Sequence, residues 1–292
     1  MRMQFDCRSA LFMPGSNARA LAKSKTLAAD SILIDLEDSV GPNEKALARQ
    51  QAVQCLQQTD FGYRITGLRI NTDNEQWRAQ DIEAAAQAKP DVLVLPKVKT
   101  AADVEKLCAD MGRFKELEAC AIWAMMETPQ AVINANEIAA SGKQNGKLAA
   151  FLIGSNDLAL ACGTSISSDR TYLVPWFMSL VLAAKANDLL ILDSVYNNIG
   201  DTDGLAAECA QAVDMGMNGK TLIHPSQLAI ANQAFSPSEE ELLHAQAIVQ
   251  AFDDPDNRDK GVISLDGQMT ERLHLEMAKA LLQRAEKLSA RV

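Results

Sequence analysis

The sequence predicts an α/β protein: a TIM-type (β/α)8 barrel with a C-terminal helical extension. Three observations predict it. Short apolar runs alternate about eight times with Ala/Leu-rich stretches of helical spacing. The runs are continuous rather than alternating, as expected of parallel strands buried on both faces. The chain has 292 residues, enough for one barrel of about 250 residues plus a tail. An open doubly wound sheet is the rival, but its GxGxxG fingerprint is absent after the first strand.

The first strand is read in SALFMPGS (9–16), followed by the helical stretch NARALAKSKTLAA. The other seven strands are read in SILIDLED (31–38), GLRIN (67–71), DVLVLPKV (91–98), AIWAMMET (121–128), AAFLIGSND (149–157), LLILDSV (189–195) and GKTLIHP (219–225). Helical spacing returns between them in QDIEAAAQA, TPQAVINANEIAAS and DGLAAECAQAVDMG. After residue 235 the pattern changes. Ser238 opens a helix whose first turn is acidic, which suits an N-cap and the helix dipole. A polar loop, DDPDNRDKG, a short strand in VISLDGQM and a last helix in TERLHLEMAKALLQRAEKL complete the chain. The division expected is a catalytic barrel over 1–235 and a helical extension over 236–292.

Composition narrows the function. Lys and Arg total 28 against 38 Asp and Glu, a net charge of −10, which repels a nucleic-acid backbone. The six cysteines show no metal-ligand spacing and read as buried or half-buried free thiols of a reducing compartment. The N-terminus lacks an apolar segment of signal-peptide length, and no run nears the roughly 18 apolar residues of a membrane span, so neither a membrane nor export is expected and the cytoplasm is the expected location.

A barrel enzyme carries its chemistry at the C-terminal ends of its strands. That rim would hold Pro14–Ser16, Glu37, Asp38, Arg69, Asn71, Lys97, Glu127, Asn156, Asp157, Asp193 and His224. Glu127 and Asp157 end neighbouring strands, and two converging carboxylates suit Mg2+, which takes one or two of them and completes its shell with water and substrate. Either residue alone reads more simply as a loop carboxylate or helix cap. Arg69 ends an apolar strand and needs an anionic partner: a substrate oxygen, or a structural ion pair with Glu37 or Asp38. Glu37 and Asp38 could accept hydrogen bonds from metal-bound water, or be plain loop carboxylates. The backbone around Gly154–Asp157 opens a helix whose N–H groups can hold a carboxylate. His224 reads first as a packed strand-end histidine and second as an acid–base group. Met125, Met126 and the stripe Leu228, Ile230 and Ala231 read as core.

In order along the chain, RSALFMPGS, ILIDLEDSV with EKALAR, LRIN, LPKV, METPQAVINANEIAAS, GSNDLA, LDSVYNNIGDTDGL, GMNGKTLIHPSQL and DGQMTERLH resemble the family of HpcH/HpaI aldolases and citrate lyase β subunits. The resemblance runs from about residue 8 to 285 and is nearer to the malyl-CoA and citramalyl-CoA lyase-like enzymes. It implies a Mg2+ ion on Glu127 and Asp157, and Arg69 on the substrate's oxygens. It also implies CoA or substrate contacts at Phe12, Lys23, Ile223 and His224. It further implies a homo-oligomer, trimer or hexamer, in which the C-terminal segment of one chain covers the active site of the next. Three positions depart from the pattern: Asn17 where an arginine for the CoA phosphates is common, with Arg19 two residues on; Lys99 after LPKV; and Glu271 where relatives carry a catalytic aspartate.

The activity expected from this resemblance is Mg2+-dependent cleavage or formation of a carbon–carbon bond in a malyl-CoA- or citramalyl-CoA-type thioester. The partners are acetyl-CoA or a homologue and a small 2-oxo acid, glyoxylate or pyruvate. Arg69 stabilises the negative oxygen, Glu271 of an adjacent chain moves the proton, Glu37 supports the site, and Asn156 and Asp157 hold substrate. The alternatives are a citryl-ACP lyase subunit, a CoA-independent 4-hydroxy-2-oxo acid aldolase, and a non-catalytic barrel that binds CoA or a 2-oxo acid.

Overall fold

The computed structural model describes residues 5–291. Eight parallel strands close into a barrel in sequence order. They are β1 (Ser9–Pro14), β2 (Ser31–Asp35), β3 (Ile65–Arg69), β4 (Val92–Leu95), β5 (Ala121–Met126), β6 (Leu148–Ile153), β7 (Leu190–Asp193) and β8 (Gly219–Leu222). Closure comes from β1 pairing with β8 through Ser9↔Lys220 and Leu11↔Leu222. Six strands lie within the segments read from the sequence, while β3 begins two residues and β6 one residue before theirs; burial on both faces is what makes such strands mostly apolar runs. Trp123, Leu33, Val94, Leu152 and Leu192 form a core cluster with Phe5 and Phe12, while a larger cluster is built from strand residues such as Ile32 and Ile34 together with helix residues such as Ala48, Ile138 and Phe177.

Several helices start where the chain leaves the rim, and polar caps fix the starts. Asn17, Asn74, Thr128 and Asp201 each accept a backbone N–H of the first turn that follows. Pro129 at the first helical position suits the turn after Glu127, since its missing N–H has no intrahelical acceptor there.

The chain divides between Phe235 and Ser236 into two compact units. In the second, Ser238 and Glu241 form a capping box on helix Glu239–Asp253. Strands β9 (Val262–Leu265) and β10 (Gln268–Glu271) then pair antiparallel, before helix Arg272–Ser289. The sequence reading took VISLDGQM as one strand and began the last helix at Thr270. The difference lies in Asp266 and Gly267, which take φ of 50° and 77°, so that the pair turns the chain into a hairpin. Ala245, Ile248, Phe252, Ile263, Leu275 and Ala278 form this unit's own core. Among the described residues no helix is long and apolar enough to cross a membrane.

Candidate active site

Arg69 is the last residue of β3, in register with Asp35, the last of β2. Its Nε and Nη2 donate to the two Asp35 oxygens at 2.6 Å each, a bidentate pair. The guanidinium carbon lies 5.0 Å from the Phe12 ring centroid, so an aromatic face covers the charge. Glu37 and Asp38 approach Nη1 at 3.2 and 3.4 Å. The sequence reading offered Glu37 or Asp38 as the structural partner; Asp35 takes that place, because only the strand register brings its carboxylate level with the arginine. Burial pushes the Asp35 carboxyl up, but the guanidinium outweighs burial and holds it below the usual carboxylate range. The Arg69 pKa is raised in spite of its own burial, by Asp35 first and then by Glu37 and Asp38.

Glu37 is buried behind this pair. Its oxygens sit 3.2 Å from Arg69 Nη1 and 3.0 Å from Lys97 Nζ, ion-pair distances without hydrogen-bond geometry. Burial pushes its carboxyl up to about 7, against the pull of Arg69. Lys97 also reaches Asp73 at 2.7 Å. With φ of 54° it aims its backbone N–H at Glu127 Oε1, 2.6 Å away.

Glu127 directly follows β5 and is 3% exposed. Its seat requires Gly154 after β6, where a Cβ would stand 2.4 Å from the Glu127 Cβ. Burial pushes the Glu127 carboxyl up to about 8, and the charges of Glu37 and Asp157 add to the rise. Asp157 lies in the first turn of helix Ser155–Cys162. Two hard-oxygen donors thus converge under mutual repulsion, the arrangement a small divalent cation relieves. Among the described residues no group of three or more Asp, Glu, His or Cys is placed to share an ion, so any cation here would take its remaining ligands from water and substrate.

Arg69, Glu127 and Asp157 line a cavity of about 340 Å³ at the rim, whereas Glu37 and Lys97 are not among its lining residues. Phe12, Asp35, Asp38, Arg69, Glu127, Asn156, Asp157 and Ile223 line it, together with Met125, Ile153, Val195, Asn197 and Thr221. Met125, read as core, is a wall residue whose sulfur lies 3.8 Å from Arg69 Nη1. Asn197 was not singled out in the sequence; its only signal was its place just beyond the seventh strand.

Other expected site residues are not among those that line the cavity. Lys23 is exposed at the end of helix Ala18–Lys23 and outside the cavity lining, and Arg19 is exposed on the same helix. His224 caps the turn Pro225–Gln227, its Nδ1 accepting the Ser226 N–H at 3.2 Å. Glu271 belongs to the C-terminal unit, where it caps helix Arg272–Ser289 and its N–H donates to His274 Nδ1 at 2.9 Å. Asp193 faces no cavity: it is fully buried, bound to Arg170 at 2.7 Å and Lys220 at 2.6 Å, with Glu208 completing the cluster. Asn71 is buried and holds the Leu36 carbonyl at 2.8 Å. Of the six cysteines, Cys162 is exposed, contrary to the sequence reading.

A closed (β/α)8 barrel carries at its rim a clamped arginine and two carboxylates that line one cavity, the place where barrel enzymes hold their chemistry. A model of the HpcH/HpaI aldolase/citrate lyase family matches residues 8–225. The chain is 42% identical over 283 residues to a (3S)-malyl-CoA thioesterase of Cereibacter sphaeroides, covering 97% of this chain and 96% of that one. It is 31% identical over 284 residues to the citrate lyase subunit beta of Escherichia coli K12, covering 96% and 93%. Its structure resembles protein CitE of Mycobacterium tuberculosis in complex with magnesium, acetoacetate and coenzyme A, with a TM-score of 0.76, 29% identity and coverage of 96% and 98%. A second similar structure is the citrate lyase beta subunit of M. tuberculosis complexed with oxaloacetate and magnesium, at TM-score 0.67, 30% identity and coverage of 80% and 98%. The chain belongs to the HpcH/HpaI aldolase/citrate lyase family, and with it among lyase-type enzymes.

Proposed function

We propose that this protein is a Mg2+-dependent carbon–carbon lyase acting on a malyl-CoA-type thioester, releasing or condensing glyoxylate or pyruvate with acetyl-CoA or a homologue. The observation that carries the reading is the convergence of Glu127 and Asp157 beside Arg69 in one cavity. The two carboxylates would hold the ion, and similar proteins are crystallised with magnesium. When bound, the ion supplies Lewis acidity to the substrate's hydroxyl and carboxylate oxygens.

The chain's own residues do the rest. Asp35 occupies Nε and Nη2 of Arg69; Nη1 meets Glu37, the exposed Asp38 and the Met125 sulfur, and a substrate oxygen would reach it by displacing Asp38. In cleavage the substrate's hydroxyl gives up its proton to solvent water, the hydroxyl carbon becomes a carbonyl as the carbon–carbon bond breaks, and the bond's electron pair passes to the thioester enolate. Arg69 is the donor for the oxygen that gains charge. Glu271 of a neighbouring chain is assigned the proton for the enolate carbon. Met125, Ile153 and Val195 give the cavity apolar walls that limit water around a carbanion-like centre.

The relative at 42% identity favours a second reading: hydrolysis of the same thioester. One assay separates the two. Purified protein is given malyl-CoA, methylmalyl-CoA and citramalyl-CoA with and without Mg2+, and the oxo acid, free thiol and acyl-CoA products are all quantified. Mg2+-dependent glyoxylate or pyruvate matched by acetyl- or propionyl-CoA is the expected result. Glu127→Ala should lower it at least about a hundredfold, since even groups behind metal ligands matter by 10–100-fold. Free CoA thiol with malate and no oxo acid would establish the hydrolase. Pyruvate released only from a free 4-hydroxy-2-oxo acid would move the reaction to a CoA-independent aldolase.

A further inference from the structure

We propose that Asn156 and Asn197 form a subsite for a secondary amide, the group that the arm of a CoA thioester carries two methylenes from its sulfur. This rests on the thioester reading above and adds a specificity-determining residue, Asn197, to it.

The two carboxamides are bonded reciprocally: Asn156 Nδ2 donates to Asn197 Oδ1 at 3.1 Å, and Asn197 Nδ2 donates to Asn156 Oδ1 at 2.9 Å. Asn156 opens the helix after β6, and Asn197 lies in the loop after β7. Both line the rim cavity, yet both are solvent-exposed, so little besides this pair of bonds holds them together. The loop beneath Asn197 is anchored, because Gln227 Nε2 donates to the Tyr196 carbonyl at 2.9 Å.

The chemistry of the wall fits an amide better than a charged group. Each carboxamide offers an N–H and a C=O, the same two groups a secondary amide presents in return. A carboxylate offers acceptors alone and would meet the Oδ1 atoms as repulsive neighbours. The cavity's charges are on Asp35, Asp38, Arg69, Glu127 and Asp157, and the acyl head would sit among the last three. On the same wall Val195 and Ile223 are apolar, with Ile223 38% exposed. Apolar contact beside a carboxamide pair mirrors an arm in which methylenes alternate with amides. The cavity of about 340 Å³ is too small for a whole CoA molecule, so the arm must leave it, and an exposed pair of lining residues is a place where it can do so. When the amide enters, it inserts at one of the two Asn–Asn bonds. Giving up one Asn–Asn bond frees one N–H and one C=O, and the amide pairs with both, a gain of one bond, whereas a ligand lacking the amide leaves the pair bonded to itself and gains nothing there.

The test is Asn197→Ala, assayed on malyl-CoA and on the S-ethyl thioester of malate, which has no amide. The readout is the ratio of the two kcat/KM values. It should fall about three- to tenfold in the variant, the range one lost neutral hydrogen bond gives, with the change in the KM for malyl-CoA. A ratio unchanged from wild type, in protein that turns over malyl-CoA, overturns the subsite and leaves the thioester reading intact. If wild type turns over neither ester, the thioester reading falls. The subsite is then decided by calorimetric titration with CoA: a dissociation constant about three- to tenfold weaker in Asn197→Ala upholds it. Equal affinity, or no binding to wild type, overturns it.

Discussion

Glu127 carries a proton in the metal-free protein at neutral pH, because burial first and the Glu37 and Asp157 charges next push its carboxyl up to about 8. A cation must displace that proton to bind. Apparent Mg2+ affinity should therefore fall by up to about tenfold per pH unit below 8, and binding near pH 7 should release close to one proton. Calorimetry at pH 6.5 and 8.5, in two buffers of different ionisation heat, reads both quantities. Affinity independent of pH would remove Glu127 from the ion. The same shifts set a stability trend. The folded-state pKa values of Glu37 and Glu127 are raised, to about 7 and about 8, so their contribution is full below the ordinary carboxylate pKa and is lost as pH rises through those values. The metal-free protein should melt lower at pH 8.5 than at pH 6, with Mg2+ raising the melting temperature more at the higher pH. At this scale the sequence identified the residues better than their partners. Arg69 stood out as a cation ending an apolar strand, but Asp35 did not, because sequence spacing cannot say which of three nearby acids the register sets beside it.

The segment after β2 shows how an element is held so that these residues can act. Lys45 is buried, and its ammonium donates to the carbonyls of Leu36 and Glu37 at 2.8 Å each. Burial lowers its pKa, and Asp35, Asp81 and Glu37 act against the fall. Asn71 donates to the same Leu36 carbonyl, and Asp81 accepts from Asn71 and Arg49. This network lies behind the loop that carries Asp35, Glu37 and Asp38. Lys45→Met keeps the stem but strips the Glu37 carbonyl of its lysine donor, which should cost about 1–3 kcal/mol by urea denaturation. It should lower kcat by loosening Arg69, while Mg2+ affinity holds, because Glu127 and Asp157 come from the segments after β5 and β6. A wild-type urea midpoint would show that the loop stands without Lys45. The eight barrel strands were legible because double burial writes itself as apolar runs. The C-terminal hairpin was not, since QMTE is mostly polar and only the Asp266–Gly267 turn marks it.

Over the whole molecule, eight repeats of strand and helix spelled out the closed barrel, whereas the buried quartet of Arg170, Asp193, Glu208 and Lys220 could not be anticipated, its members coming from four successive segments whose spacing carries no signature. Assembly is the other property that one chain's pattern leaves open. Ile133, Leu160 and Leu182 stand 82, 81 and 72% exposed on helices of the barrel unit, apolar surface that a homo-oligomer would cover. The proposal that Glu271 acts in a neighbouring chain's site makes a prediction that no single-chain arrangement shares. Glu127→Ala and Glu271→Gln should each be inactive alone. Dissociated, mixed in equal amounts and reassembled, they would form some sites with the barrel of the Glu271→Gln chain and the C-terminal unit of the Glu127→Ala chain. Random assembly makes both parts intact in half times half of the sites, so activity should return to about a quarter of wild type. If Glu271 serves its own barrel, every mixed site still lacks one of the two carboxylates. Reassembled oligomers would then stay silent, and the proton donor would have to be sought within the chain.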